Sequence, residues 1–188
     1  ALMKATAGIG SYYGLQASAG AAGFHGVPGV ALTASNLSIA VNGSNTAQVV
    51  NFTTTDWDGN GAIATGLAID GGSEEVQALA LTQQLLQASG TVTLQLDSYV
   101  YLTGTLVFSK GAKTHVTLTD ASQSENEVEL MTIGANGIYG FVGTGFTGFA
   151  DQLTEENLAG SSVTVRKPNA EAMGLYLSDM AFGLVLMK

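Results

Sequence analysis

Thr91-Val92-Thr93-Leu94-Gln95-Leu96 is a run in which polar and apolar residues alternate. After Asp97-Ser98 the chain continues in the same extended style from Tyr99 to Phe108 and reaches a turn at Lys110-Gly111. A period of two indicates a strand with one face toward a core, and a short polar turn between two such runs indicates an antiparallel hairpin. The stretch therefore predicts neighbouring antiparallel strands, followed by a third strand from Thr114 to Thr119.

Similar runs occur along most of the chain and predict about ten to twelve strands, more than a minimal sandwich needs. The other candidates are 30–41, 48–55, 62–69, 127–133, 161–166 and 173–187. We expect an all-β, mainly antiparallel fold with at most one short helix. Two architectures fit: two packed sheets in a sandwich-like arrangement, or one rolled elongated sheet. Residues 1–188 would form a single β-rich module or two fused related halves.

The single helix candidate is the segment 73–88. Ser73 could cap its N-terminus, Glu74 and Glu75 suit the positive first turn, and Gly90 could end it. The same segment also alternates from Val76 to Leu81, which predicts a strand followed by a short helical turn. Both interpretations stay open at this point.

Charge and composition exclude several classes of partner. Charged residues make up 11% of the chain and the net charge is −9, whereas nucleic acids and anionic lipids require a basic surface. No run approaches the length of a membrane helix, which is about 20 apolar residues. The chain has no cysteine, so a disulfide scaffold and thiolate metal sites are excluded. We expect no nucleic-acid partner and no membrane insertion.

The tripeptide Leu-Met-Lys occurs at both ends of the chain, at positions 2–4 and 186–188. Methionine is scarce here, with five copies in all, so the match suggests one unit of a head-to-tail repeat with a period of 184 residues (186 − 2). Stacked repeat units bury their ends against neighbours. We therefore predict that Leu2, Met3, Leu186 and Met187 form an interface between neighbouring copies, and that the chain is excised near a repeat boundary.

Asp56-Trp57-Asp58-Gly59-Asn60-Gly61-Ala62 has the spacing of the first part of a calcium loop. Oxygen ligands stand at positions 1, 3 and 5, glycine at 6 and a backbone carbonyl, that of Ala62, at 7. Position 12 is Leu67 instead of glutamate, and Asp70 would replace it if the chain folds back. The motif predicts a structural Ca²⁺ site made by Asp56, Asp58, Asn60, Ala62 and Asp70. The alternative is a polar Asx-type turn without metal.

Catalytic signals are weak. His25 and His115 are the two histidines and neither has a neighbour that would suggest a nucleophile and base pair. Aromatic residues could instead stack on sugar rings. We consider Trp57, Tyr99 and Tyr101 a candidate platform for a glycan, against the alternative that the tyrosines pack in a core.

Three runs, at 30–42, 96–110 and 174–186, resemble repeat units of giant bacterial secreted or cell-surface proteins of the RTX-adhesin-like kind. The resemblance spans most of the chain. It implies an extracellular or cell-surface location and an adhesive or structural role, and it supplies no catalytic residues. From the sequence we expect a non-enzymatic repeat module that joins its neighbours end to end, with a carbohydrate-binding β-sandwich as the alternative.

Overall fold

A computed structural model describes residues 1–4, 10–24, 26–72, 76–119, 126–150, 153–156 and 162–188. Within these ranges the chain forms thirteen β-strands and no helix. The strands are β1 (Leu2–Lys4), β2 (Ser11–Phe24), β3 (Val30–Ser44), β4 (Leu67–Asp70), β5 (Val76–Leu79), β6 (Leu85–Leu96), β7 (Val100–Gly111), β8 (Thr114–Val116), β9 (Asn126–Val128), β10 (Leu130–Thr144), β11 (Leu153–Glu156), β12 (Ser162–Val165) and β13 (Met173–Met187). The predicted all-β, mainly antiparallel fold class is confirmed.

One seven-stranded sheet dominates the fold. Its order is β1-β2-β3-β6-β7-β10-β13, and each neighbouring pair is antiparallel. The remaining strands form three separate hairpins, β4 with β5, β8 with β9, and β11 with β12. Strands that follow one another in the large sheet are therefore also spatial neighbours, as in a meander, and the two outermost strands are β1 and β13.

The alternating run that predicts the fold forms the centre of this sheet. β6 and β7 pair without a break from Leu85 opposite Gly111 to Leu96 opposite Val100. Threonine hydroxyls bond across the two strands at 3.0 Å between positions 91 and 105, and at 2.7 Å between positions 93 and 103. Odd-numbered residues of β6 and β7 share this face, because the side chains of a strand alternate between its two sides. Their even-numbered neighbours share the other face.

The connection between β3 and β6 packs on the first of these faces, here named the loop face. Phe52 is fully buried, and a methyl group added at Gly14 of β2 would lie 2.7 Å from its ring. Asn42 of β3 is 1% exposed and its Nδ2 donates to the carbonyl oxygens of Val50 and Gln83 at 2.9 and 3.0 Å. The amide of Asn42 therefore holds both ends of the connection against the sheet.

A second connection, between β10 and β13, packs on another part of the loop face through aromatic rings. Phe141 of β10 is 1% exposed and stacks on Phe146 with ring centroids 4.7 Å apart. Tyr101 and Phe149 complete the cluster, each with its ring centroid 5.1 Å from that of Phe146. The two connections thus give the molecule a sandwich-like layer over one large sheet.

The opposite face, here named the open face, is apolar and largely uncovered. It presents the even-numbered side chains of β6 and β7 and their neighbours across the sheet. Members that are substantially exposed include Leu32, Ile39, Leu86, Leu102, Leu106, Val142, Leu177 and Phe182. A shallow apolar groove of about 230 Å³ crosses it between Val92, Leu102, Ile138 and Met180.

Several long strands share an irregular point near their middle. Asn36 of β3 and Asp179 of β13 both have φ of 52°, and Gly137 of β10 has φ of 55°. Register shifts occur beside them, between Ser35 and Ser38 and between Ala135 and Gly140. Bulges of this kind bend a strand and increase its twist. The large sheet therefore bends along a line through these residues.

The helix candidate at 73–88 is wrong for the residues that the structure describes. Residues 73–75 lie outside them, 76–79 form β5, and 85–88 begin β6. Gly90 does not end a helix. It lies inside β6, and a methyl group there would come within 2.6 Å of Leu37 Cδ2. The period-two alternation from Val76 therefore prevails over the capping signals.

Candidate functional site

The Asp56 turn is a compact loop in which side-chain oxygens bond to the loop's own backbone. Asp56 Oδ1 accepts from the amide of Gly59 and Oδ2 from that of Gly61, both at 2.9 Å. Asn60 Oδ1 accepts from the amide of Ala62 at 2.7 Å. Gly59 and Gly61 have φ of 73° and 84°, which only glycine adopts at little cost. The contact of Asn60 with the amide two residues on is that of an Asx turn, and Asp56 closes the loop around it.

The same contacts favour the ionised form of the Asp56 carboxyl. The hydrogen bond from the Gly61 amide is the largest of the effects that lower the pKa of Asp56 below its ordinary value. Asp58 bonds to Asn60, with Oδ2 2.6 Å from Nδ2. The four loop residues predicted to bind calcium are therefore adjacent in one turn, with their carboxylate and amide oxygens directed toward N–H groups.

Asp70 lies outside that turn, at the end of β4. Its Oδ1 accepts a hydrogen bond from the amide of Gly72 at 2.8 Å. Among the described residues no three acidic or histidine side chains come together as a metal-binding group. Calcium binding by Asp56, Asp58, Asn60, Ala62 and Asp70 stays a prediction. If the ion binds, the Asx-turn hydrogen bonds must be exchanged for metal–oxygen contacts.

The three aromatic residues of the predicted sugar platform lie in different surroundings. Trp57 stacks on Phe52 with ring centroids 5.4 Å apart, and its Nε1 donates to the Phe52 carbonyl at 3.0 Å. Tyr101 belongs to the cluster around Phe146. Tyr99 lies in the turn between β6 and β7 and is 57% exposed. Trp57 and Tyr101 thus have structural contacts, and glycan binding stays a prediction.

His115, the histidine that the structure describes, gives no further site. His115 lies on β8, exposed and opposite Glu127 of β9, whose carboxylate is bonded to Lys113 at 3.4 Å. His25 lies outside the described residues. No helix in the described ranges is long and apolar enough to cross a bilayer.

The four predicted interface residues occupy the two opposite edges of the large sheet. Leu2 and Met3 lie on β1, where they pair with Tyr13 and Tyr12 of β2. Leu186 and Met187 lie on β13, where they pair with Met131 and Leu130 of β10. Leu2 is 81% exposed and Met187 is 58% exposed. One copy of the Leu-Met-Lys tripeptide therefore lies on β1, at one edge of the sheet, and the other lies at the end of β13, at the opposite edge.

Among the described residues, both edges of the large sheet include backbone that no strand pairs with. β1 covers β2 only near positions 11 to 14, and in the described part of the chain no strand pairs with the rest of the outer edge of β2. β13 likewise pairs on one side alone, and its side chains are exposed on both faces except at Ser178. Long unpaired strand edges are templates for pairing with another chain.

Comparison with models of protein families, with curated proteins and with solved structures finds no match to this chain. The edges of the large sheet and the open face are therefore the features that bear on function.

Two features of this geometry escape the sequence analysis. The predicted strand 30–41 stops before Asn42, whereas the structure places Asn42 inside β3 as the anchor of the Phe52 connection. The likeness of Ser35-Asn36-Leu37 to Ser178-Asp179-Met180, which marks the bend in β3 and in β13, is also visible in the sequence alone. It is a short pattern within two longer alternating runs.

Proposed function

We propose that this chain is a non-enzymatic structural or adhesive repeat module of an extracellular bacterial surface protein or filament, and that it joins neighbouring copies end to end. The observation that carries the proposal is the position of the repeated Leu-Met-Lys tripeptide on the two opposite edges of one sheet. A module with an open edge at each side extends by adding the next copy to that edge. Such head-to-tail contacts generate open chains rather than closed pairs.

The accessible surface of the chain supports association. It amounts to 12672 Å², whereas a compact monomer of 19.1 kDa exposes about 8,400 Å². A standard protein interface removes about 800 Å² from each partner. The excess is larger than the area that one such contact removes.

The distribution of charge supports the same conclusion. Lys110 lies at one end of the open face, beside Met131 of β10, and pairs with Glu129 at 2.9 Å. The middle of that face, between β3 and β13, consists of aliphatic and aromatic side chains and glycine. An apolar centre with charges at the rim is the pattern of protein interfaces.

The test is sedimentation velocity and negative-stain electron microscopy of a single copy and of two and four copies fused in tandem. We expect the single copy to associate as its concentration rises, and the fused copies to form elongated particles whose length grows with copy number. Leu186→Lys should weaken association, whereas Ile63→Lys, at a residue that is 67% exposed on the β3 to β6 connection, should leave it unchanged. A monodisperse monomer at high concentration, together with compact fused particles, contradicts the proposal.

A further inference from the structure

We propose that the outer edge of β2 binds β13 of a second copy in one specific register, with Ala17 opposite Phe182 of that copy. The inference rests on the proposed end-to-end function and names the contact that would perform it. Three features of the structure agree with this register, and together they distinguish it from its neighbours.

The first feature is the contact that β1 already makes. Leu2 lies opposite Tyr13, Met3 opposite Tyr12 and Lys4 opposite Ser11. Positions 186–188 repeat the same three residues, so an incoming β13 that displaces β1 and binds in its place would set Leu186 opposite Tyr13. Counting back along an antiparallel pair then sets Leu184 opposite Leu15 and Phe182 opposite Ala17.

The second feature is the phase of the hydrogen bonds. Gly14 exchanges both backbone bonds with Ala1, so the even-numbered residues in this part of β2 point their N–H and C=O groups outward. On β13, Lys188 exchanges both backbone bonds with Glu129 of β10. Bonded and non-bonded pairs alternate along an antiparallel pair, so the odd-numbered residues in this part of β13 point their N–H and C=O groups outward. The proposed register brings these outward groups together: Gly14 with Val185, Gln16 with Gly183, and Ser18 with Ala181.

The third feature is the bend in the middle of the strands. β3 and β13 are both 15 residues long, and in each the seventh residue, Asn36 or Asp179, has φ of 52°. On its inner side β2 places Gly20 opposite Asn36, between the pairs Ala19 with Leu37 and Ala21 with Ser35. The register taken from the tripeptide places Gly20 opposite Asp179 on the outer side. β13 of a second copy would therefore lie against β2 as β3 does.

Other registers lose at least one of these agreements. A shift by one residue sets Phe182, Leu184 and Leu186 opposite residues of the loop face and breaks the hydrogen-bond phase. A shift by two residues preserves both, but the bend at Asp179 then no longer meets Gly20. In the proposed register the open face continues from one copy to the next, with Leu15 beside Leu184 and Phe24 beside Leu175.

The size of the side chains also suits this pairing. Between Ala17 and Gly23, β2 consists of alanine, serine and glycine. The facing part of β13 carries Leu177, Met180 and Phe182, all substantially exposed. Small side chains on one strand leave room for large side chains on the next strand. The large apolar side chains then bury more of their surface against the small ones.

The register can be tested by cysteine cross-linking, because the chain has no cysteine of its own. An Ala17→Cys chain is mixed with a Phe182→Cys chain that carries a size tag, and the mixture is oxidised and separated on a non-reducing gel. Ala17 and Phe182 form a non-hydrogen-bonded pair in the proposed register, where Cβ atoms approach most closely. In the control mixture Leu184→Cys replaces Phe182→Cys and lies on the diagonal, about 7–8 Å away.

The expected result is a mixed-size dimer for the first mixture and its loss in the control, with sedimentation of the unsubstituted chain showing association. A chain that carries both cysteines can also be used, because it cannot form the disulfide within itself. β2 and β13 lie five strand spacings apart, about 24 Å, whereas a disulfide tolerates about 7 Å between Cα atoms.

Three results overturn the inference. Dimers of Ala17→Cys with itself, without the mixed product, mean that β2 pairs with β2. Association without any cross-link means that copies meet through the open face, and the proposed function survives while the register fails. Absence of association in sedimentation overturns the register and the proposed function together.

Discussion

Replacement of Phe52 by alanine should be among the most destabilising single substitutions in this chain. Phe52 is fully buried between the backbone of β2 at Gly14 and the ring of Trp57. Truncating a buried phenylalanine to alanine costs about 3–5 kcal/mol in the free energy of unfolding, because the lost transfer energy is joined by the energy of the cavity. The stacking on Trp57 accounts for about 1 kcal/mol of that total.

The expected loss translates into a large change in melting temperature. For a chain of this size, 1 kcal/mol shifts the midpoint by about 2–4 °C, so Phe52→Ala should melt about 6–20 °C below the unsubstituted chain. The assay is thermal unfolding followed by far-ultraviolet circular dichroism. Every variant is compared at one low protein concentration, since association makes the midpoint depend on concentration.

Ile63→Ala is the matched control. It removes an aliphatic side chain from the same connection, but Ile63 is 67% exposed and its loss should stay within about 0.5 kcal/mol. Phe52→Leu should fall between the two, because leucine refills much of the cavity. Equal midpoints for Phe52→Ala and Ile63→Ala would refute the reasoning, since the connection would then not stabilise the sheet by docking on it.

Other predictions concern the Asn42 amide, the Asp56 turn and the Lys110 pair. Asn42→Ala should cost about 1–3 kcal/mol in chemical unfolding, because it leaves the partly buried carbonyl groups of Val50 and Gln83 without their donor; an unchanged denaturation midpoint contradicts this. If the predicted calcium site exists, calcium raises the melting temperature relative to chelator and Asp58→Ala removes the rise, whereas equal melting curves eliminate Asp56, Asp58 and Asn60 as ligands. The Lys110 ammonium lowers the pKa of Glu129 below its ordinary value, so the pair should stabilise the fold above that ordinary pKa and lose its effect as the pH falls through the lowered one. Glu129→Gln should therefore lose slightly less stability than the unsubstituted chain when the pH is lowered. An identical dependence of stability on pH in the two chains would contradict the assignment.

The central hairpin is predictable from sequence because its signal is local and repeated. Val92, Leu94 and Leu102 alternate with threonines that bond to each other across the strands, and the turn between β6 and β7 is a short polar one. Met173 to Met187 is predicted as a strand with the bounds that the structure shows. In these places, alternation and turn chemistry indicate the same structure.

The remaining features depend on contacts between residues distant in sequence. Phe52 lies in a predicted strand, 48–55, that does not form, since its backbone instead crosses the loop face and bonds to Leu81. Gly90 has the appearance of a helix terminator, but it lies inside β6, where an added methyl group would meet the side chain of Leu37. The Leu-Met-Lys repeat predicts an interface, yet only the strand order shows that its two copies lie on opposite edges of one sheet.

The order of the strands also fixes the dimensions of a polymer built in the proposed register. β13 of one copy takes the place of β1 in the next, so each copy adds six strand spacings, or about 29 Å along the hydrogen-bonding direction. With the usual twist of about 20–25° between strands, successive copies rotate by about 120–150°, which gives a helical pitch of roughly three copies. The strands would lie across the fibre axis, so a cross-β spacing of about 4.8 Å would be superimposed on a molecular repeat six times as long.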